Sequence, residues 1–207
     1  MPDHFPPQFR PLERQFAFIL ELDRLKGVLR RNSLLDRSRR ENSAEHSWHV
    51  ALMALVLSEF AAEPVDKSRV IELLLVHDLV EIDAGDTFAY DVQGATTQAQ
   101  REQTAADRIF GLLPDDQAQR LRARWDEFDA SETPEARFAL ALDRLMPMVH
   151  NALTEGSAWR EHGVKADQVR RRAESIERGA PVLGALAMRL IDEAVATGHL
   201  HDPHVDT

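Results

Sequence analysis

Leu73-Leu74-Leu75-Val76-His77-Asp78-Leu79-Val80-Glu81-Ile82-Asp83-Ala84-Gly85-Asp86 is the stretch on which the reading of this chain turns. It is mostly apolar through Ile82, and its length and spacing predict a buried helix that starts at Asp66 or Ser68 and stops at Gly85. Two ionisable residues, His77 and Asp78, sit inside that apolar run. A carboxylate is almost never buried without a partner, because burying it unpaired costs several kcal/mol. Asp78 therefore needs a cation, either an arginine or a metal. The plainer reading is a satisfied core histidine beside a salt-bridged or capping aspartate. However, Glu81 lies four residues after His77 and three after Asp78, on the same predicted helical face. With Asp83 and Asp86, four carboxylates fall within nine residues and would repel one another without a counter-charge.

Outward from this stretch the pattern is helical. Phe18, Leu22, Leu25 and Leu29 predict a first amphipathic helix over 11–31, and the polar, Arg- and Ser-rich residues 32–43 read as a loop. Asn42 or Ser43 caps a second helix with Glu45 in its first turn. Its run Val50–Leu57 is apolar throughout, predicting burial on most sides. The second and third helices then form a central pair wrapped by the others. Residues 86–96 read as a loop. A fourth helix carries Ala105, Ile109 and Leu112, and Pro114 opens a fifth with Leu121, Trp125 and Phe128. Thr133-Pro134 opens a sixth with Phe138, Leu142, Leu145 and Val149 on one face. A seventh lies near 166–178 and an eighth near 181–197. No Asn-Gly or Asp-Gly hairpin turn occurs and β alternation is rare. The expectation is an all-α helical bundle forming a single domain over 1–207, with its core at 11–197 and flexible ends at 1–10 and 198–207.

Composition narrows the function. The 207 residues carry 35 acidic against 25 Lys and Arg side chains, a formal net charge of −10. That charge disfavours a nucleic-acid coat or a membrane-surface role. Cysteine is absent, which excludes disulfide scaffolds, thiolate zinc sites, iron–sulfur clusters and cysteine nucleophiles. No apolar run reaches the roughly 18 residues of a membrane span, and Met1–Pro7 lacks the apolar core of a secretory signal. A cytoplasmic location is the expectation. His46 and His77 with Asp78 and Asp143, from three predicted helices, form a plausible shell for one divalent ion, with Co, Mn, Zn, Ni, Fe or Mg all compatible with a mixed imidazole–carboxylate set.

His46, then His77-Asp78 after 30 intervening residues, then Asp143 after 64 more, resembles the H…HD…D signature of the HD-domain metal-dependent phosphohydrolases. The local words agree. Glu41 with Glu45-His46-Ser47 resembles E-x-x-x-E-H-S, His77 to Asp86 resembles H-D-x-x-E-x-x-x-G-D, and Leu142-Asp143-Arg144-Leu145 resembles the late aspartate helix. Over about residues 15–175 the chain looks most like the small single-domain branch that contains the bacterial 5′-deoxyribonucleotidases. The resemblance implies an HD-domain bundle around a buried metal held by His46, His77, Asp78 and Asp143. It implies hydrolysis of a phosphomonoester, with a deoxyribonucleoside 5′-monophosphate as archetype. Glu81 would position or deprotonate water, and Asp86 would act near the leaving group or sugar. The arginine-rich loop supplies candidates for the substrate phosphate: Arg31, Arg37, Arg39 and Arg40. In the deoxyribonucleotidases an Arg-Trp pair in this loop contacts the nucleotide, and the aligned pair here reads Arg31-Asn32. The other readings are phosphodiester or pyrophosphate cleavage at the same centre, and a non-catalytic metal or ligand binder. The apolar stripes of the first and last helices suit a homodimer face.

Overall fold

The computed structural model describes residues 6–204; the outermost parts of both predicted flexible ends, 1–5 and 205–207, lie outside the described residues. After a 3₁₀ turn over Pro7–Leu12 come helix α1 (Glu13–Glu21) and a second 3₁₀ segment, Leu22–Gly27. A short hairpin follows, β1 (Leu29–Ser33) against β2 (Arg40–Asn42). The rest is helical: α2 (Ser43–Leu57), α3 (Lys67–Val76), α4 (Glu81–Ala84), α5 (Val92–Phe110), α6 (Asp115–Ala130), α7 (Pro134–Leu153), α8 (Ser157–Glu161), α9 (Ala166–Gly179) and α10 (Pro181–Ala196). The architecture is mostly α, as the periodicity requires. Among the described residues no helix is long and apolar enough to cross a membrane.

Local chemistry sets several boundaries. Asn42 caps α2 by accepting from the Glu45 N–H, and Glu45 returns the bond to the Asn42 N–H, a reciprocal box. Thr133 caps α7 through the Ala136 N–H, with Pro134 in the first turn. Gly85 takes φ +73° and ends α4, a conformation that favours glycine.

The hairpin overturns the expected helix over 11–31 and the loop over 32–43. Its turn uses no Asn-Gly. Arg37 takes a positive φ, and the Asp36 side chain accepts from the Ser38 backbone and hydroxyl. The expected central pair also fails. On α2, Trp48, Leu52, Leu55 and Val56 are exposed, Val56 at 71%. The central element is α7, which packs against α2, α3, α6, α9 and α10. An all-apolar run fixes no face, whereas the stripe Phe138, Leu142 and Leu145 is fully buried. A second core, with Phe18, Leu25, Ile109, Phe110 and Trp125, joins α1, α5 and α6 to the end of α3. The predicted single helix from 66 to 85 breaks: α3 ends at Val76 and the chain turns through residues 77–80 before α4.

The tail differs from the expected flexible end over 198–207. Leu200 is buried, the Ala166 N–H donates to the His201 carbonyl, and Arg170 binds Asp202 at 2.7 Å. The Arg170 bond and the His204 N–H hold the Asp202 carboxyl below its usual range. A lowered folded-state pKa means the contact is complete above about pH 4 and is lost as the pH falls through that lowered value. Asp202→Asn is expected to speed limited proteolysis of the tail at neutral pH. An unchanged digestion rate would mean that Leu200 and the backbone bond hold it alone.

Candidate metal centre

Three separate helical elements bring the polar residues together. His46 lies in the first turn of α2, where the Asn42 box fixes the helix start. His77 closes α3 and Asp78 opens the turn that follows. Asp143 lies on the buried face of α7, and Pro147 four residues on has no N–H to offer the Asp143 carbonyl. Ligand atoms of His46, His77 and Asp143 lie within 4.8 Å of one another. Asp143 Oδ1 is 3.0 Å from His46 Nε2 and 3.6 Å from His77 Nε2. Asp78 Oδ1 is 3.1 Å from His77 Nε2, while its Oδ2 accepts from Arg30 Nη1 at 2.7 Å.

The hydrogen-bond inventory shows what this cage lacks. His77 Nδ1 lies 2.7 Å from the Leu74 carbonyl, which can only accept, so Nδ1 carries the hydrogen. In the neutral imidazole Nε2 is then a bare lone pair aimed at two carboxylate oxygens, and it is buried without a hydrogen-bond partner. His46 is disposed the other way round: its Nε2 is in hydrogen-bond contact with Asp143 Oδ1 at 3.0 Å, and its Nδ1, 3.4 Å from the buried Glu41 carboxylate, has no hydrogen-bond partner. A lone pair facing carboxylate oxygens in a dry site calls for positive charge between them, a proton on the ring or a metal ion. The residues present fit a divalent metal, with the nitrogens and oxygens of a transition-metal shell. Without a metal the same carboxylates call for a proton on the ring instead. Burial alone would depress the His77 imidazole, yet Asp78 and Asp143 lift it to about 9. Burial alone would raise Asp143, yet both imidazoles hold it well below the usual carboxylate range.

Glu81 opens α4 and is buried, with Oε2 accepting from Ser43 Oγ at 2.5 Å. Burial first, then the Asp78 charge, push its carboxyl well above the usual value. Asp86 is raised chiefly by burial and lines the cleft that also contains His77, Asp78, Glu81 and Asp143. The break at 77–80 thus directs Glu81 into the cleft by a turn instead of one continuous helical face.

The loop arginines do not gather there, with one exception. Arg37 pairs with Glu155 at 3.0 Å, Arg39 with Glu45 at 2.5 Å and Arg40 with Glu161 at 2.7 Å. This corrects the expectation that Arg39 and Arg40 face substrate: each is neutralised at the surface by a nearby glutamate. Arg31, exposed on β1, reaches the rim of a cavity beside the cleft. The arginine inside the site is Arg30, missed because residue 30 fell within a predicted helix. In a strand, period two sets Arg30 and Asn32 against the protein and leaves Leu29 and Arg31 exposed. Arg30 lies 2.7 Å from Asp78, 3.8 Å from Glu41 and 3.9 Å from Asp143. Burial would lower its pKa, but the Asp78, Glu81, Asp143 and Asp86 carboxylates raise it and hold the charge in place. A second set able to hold an ion, Glu41, His49 and His150, lies behind His46.

A helical bundle that brings imidazoles and a carboxylate from distant positions within 4.8 Å of one another has the make-up of a metal centre on an α scaffold. The chain belongs to the HD domain family, whose model matches residues 22–183. It is similar to a crystal structure described as a predicted metal-dependent phosphohydrolase from Magnetospirillum magnetotacticum MS-1. Identity is 52%, the TM-score is 0.87, and the match covers 92% of this chain and 98% of that one. Among curated proteins it is similar to the 5′-deoxynucleotidase HDDC2 of Homo sapiens, 32% identical over 106 residues, which cover 51% of this chain and 50% of that protein. The Bos taurus protein of the same name is 33% identical over 104 residues, 50% of this chain and 49% of that one. The match thus spans about half the length of these curated relatives.

Proposed function

We propose that this protein is a metal-dependent phosphomonoester hydrolase acting on deoxyribonucleoside 5′-monophosphates or a closely similar small phosphorylated metabolite. The observation that carries the reading is the orphaned His77 Nε2, which faces two carboxylate oxygens next to a buried glutamate of raised pKa. The names of the HDDC2 relatives and of the Magnetospirillum structure support the same chemistry.

In this reading His46, His77, Asp78 and Asp143 hold one divalent ion from the set Co, Mn, Zn, Ni, Fe or Mg. The ion supplies Lewis-acid polarisation of a phosphoryl oxygen and makes water more acidic. Glu81, held by Ser43, orients the attacking water and takes its proton. Water oxygen bonds to phosphorus, the ester P–O bond breaks, and Asp86, whose carboxyl burial pushes up, stands in the cleft as the group to pass a proton to the departing oxygen. The Leu74 carbonyl fixes the His77 ring by accepting from its Nδ1, and Glu41 stands 3.4 Å behind the His46 ring, so that both Nε2 atoms are turned toward Asp143 and the ion. A homodimer and a cytoplasmic location belong to the same proposal; the exposed Ile19 of α1 and Val182 and Leu186 of α10 are in keeping with the dimer.

The test is phosphate release from a panel of deoxy- and ribonucleoside 5′-monophosphates with added Mn²⁺ or Co²⁺. Glu81→Gln is expected to keep its metal while kcat falls by about 10²–10⁴-fold, the usual worth of a positioned general base. Full activity in that variant would overturn the role of Glu81. Cleavage of diesters or pyrophosphates without monophosphates would overturn the substrate class.

A further inference from the structure

A phosphate dianion needs fixed positive charge, and most cations of this chain are already committed. Arg37, Arg39 and Arg40 are paired at the surface. Arg30 is held by Asp78, with Glu41 and Asp143 close by, so its charge balances the acidic cage. Arg144 of α7 and Arg172 of α9 are different. Among the described residues neither has a carboxylate in ion-pair range. The Arg144 Nη1 donates to the hydroxyl of Ser175, a neutral partner at 2.5 Å, and its Nε is buried with no partner at all.

Their position is as informative as their lack of partners. Both line the cleft that holds His77, Asp78, Glu81, Asp86 and Asp143. Both also line the adjoining cavity, walled by Phe88, Tyr90 and Trp159, and the outer groove leading to Arg171. They stand where the three spaces meet. Two guanidinium groups brought together without a counter-ion are destabilising, and an anion between them removes that penalty.

We propose that Arg144 and Arg172 form the anion subsite of the cleft and take the phosphate dianion of the substrate, while Arg30 serves the acidic cage. The proposal deepens the phosphohydrolase reading and rests on it. It adds α7 and α9 to the hairpin's Arg31, which lines the same adjoining cavity. A guanidinium fork matches phosphate oxygens two at a time, which an ammonium cannot do. Ser175 ties the two helices into one unit: its hydroxyl accepts from Arg144 and donates to the Arg172 carbonyl at 2.8 Å. The aromatic wall of the neighbouring cavity leaves room for a ring attached to that phosphate.

The test is binding, read without turnover. Mn²⁺-loaded wild type, Arg144→Gln, Arg172→Gln and Arg144→Lys are titrated calorimetrically with inorganic phosphate, and separately with deoxyadenosine. Each glutamine variant is expected to bind phosphate at least about tenfold more weakly, the worth of a lost charge-assisted bond, with deoxyadenosine binding unchanged. Arg144→Lys should recover part of the loss, and Arg37→Gln, at the surface, should match wild type. Arg172 is half-exposed, so its variant keeps the test open if Arg144→Gln fails to fold. Wild-type phosphate affinity in folded Arg172→Gln overturns the proposal, as does a loss confined to deoxyadenosine. Phosphate binding that depends on both arginines in a protein that hydrolyses nothing would sink the enzymatic reading and leave the subsite standing.

Discussion

Asp143→Asn is expected to abolish most of the activity and most of the bound metal together. Among the described residues Asp143 Oδ1 is the one carboxylate oxygen within ion-pair range of both imidazoles, 3.0 Å from His46 and 3.6 Å from His77. Asparagine keeps the shape but removes the charge. Its amide offers either a neutral oxygen or an N–H₂ that cannot bind a cation. A metal ion contributes several kcal/mol to stabilising charge in such a reaction, so kcat/KM should fall by about 10³-fold or more. Metal content per chain, measured by mass spectrometry after dialysis, should fall in parallel. The fold should persist, because Phe138, Leu142 and Leu145 bury the same α7 face in the variant. Activity within tenfold of wild type, with metal retained, would remove Asp143 from the centre.

The second large effect is on stability. Arg30→Ala strips a buried guanidinium from beside Asp78, Glu41 and Asp143, leaving buried carboxylates with less compensation. Breaking a buried pair from one side costs about 3–5 kcal/mol. For a chain of this size each kcal/mol shifts Tm by about 2–4 °C. In the presence of a chelator, Tm should therefore fall by roughly 6–20 °C. Added Mn²⁺ should restore part of the loss, because a cation in the cage takes over the balancing of Asp78 and Asp143. A shift within about 2 °C in chelator would mean that the carboxylates take up protons in place of the arginine.

Much of the centre was legible as spacing. His77-Asp78 inside an apolar run demands a cation whatever the fold, and Glu81 with Gly85-Asp86 restricts the chemistry further. The α7 start at Thr133-Pro134 was equally plain, and the α2 start was narrowed to Asn42 or Ser43, since caps act within three residues. The arginines were not legible in the same way. Arg30 and Arg31 are neighbours of one type, and only the strand, which a helical reading of 11–31 concealed, decides that Arg30 turns inward. Arg39 and Arg40 looked available because their partners, Glu45 and Glu161, are brought to them by the fold, Glu161 from 121 residues away. Arg172 carried no local signal at all.

The sequence by itself determined an α scaffold and a need for positive charge beside Asp78, because helical periodicity and the cost of burying an unpaired carboxylate are local facts; that the charge includes a metal was implied only by the resemblance of the H…HD…D spacing. The tertiary structure decided which cations remain unpaired and where they point. A guanidinium is free or neutralised according to which acidic side chain folding brings near it, and that distance is set by packing between elements far apart in the chain.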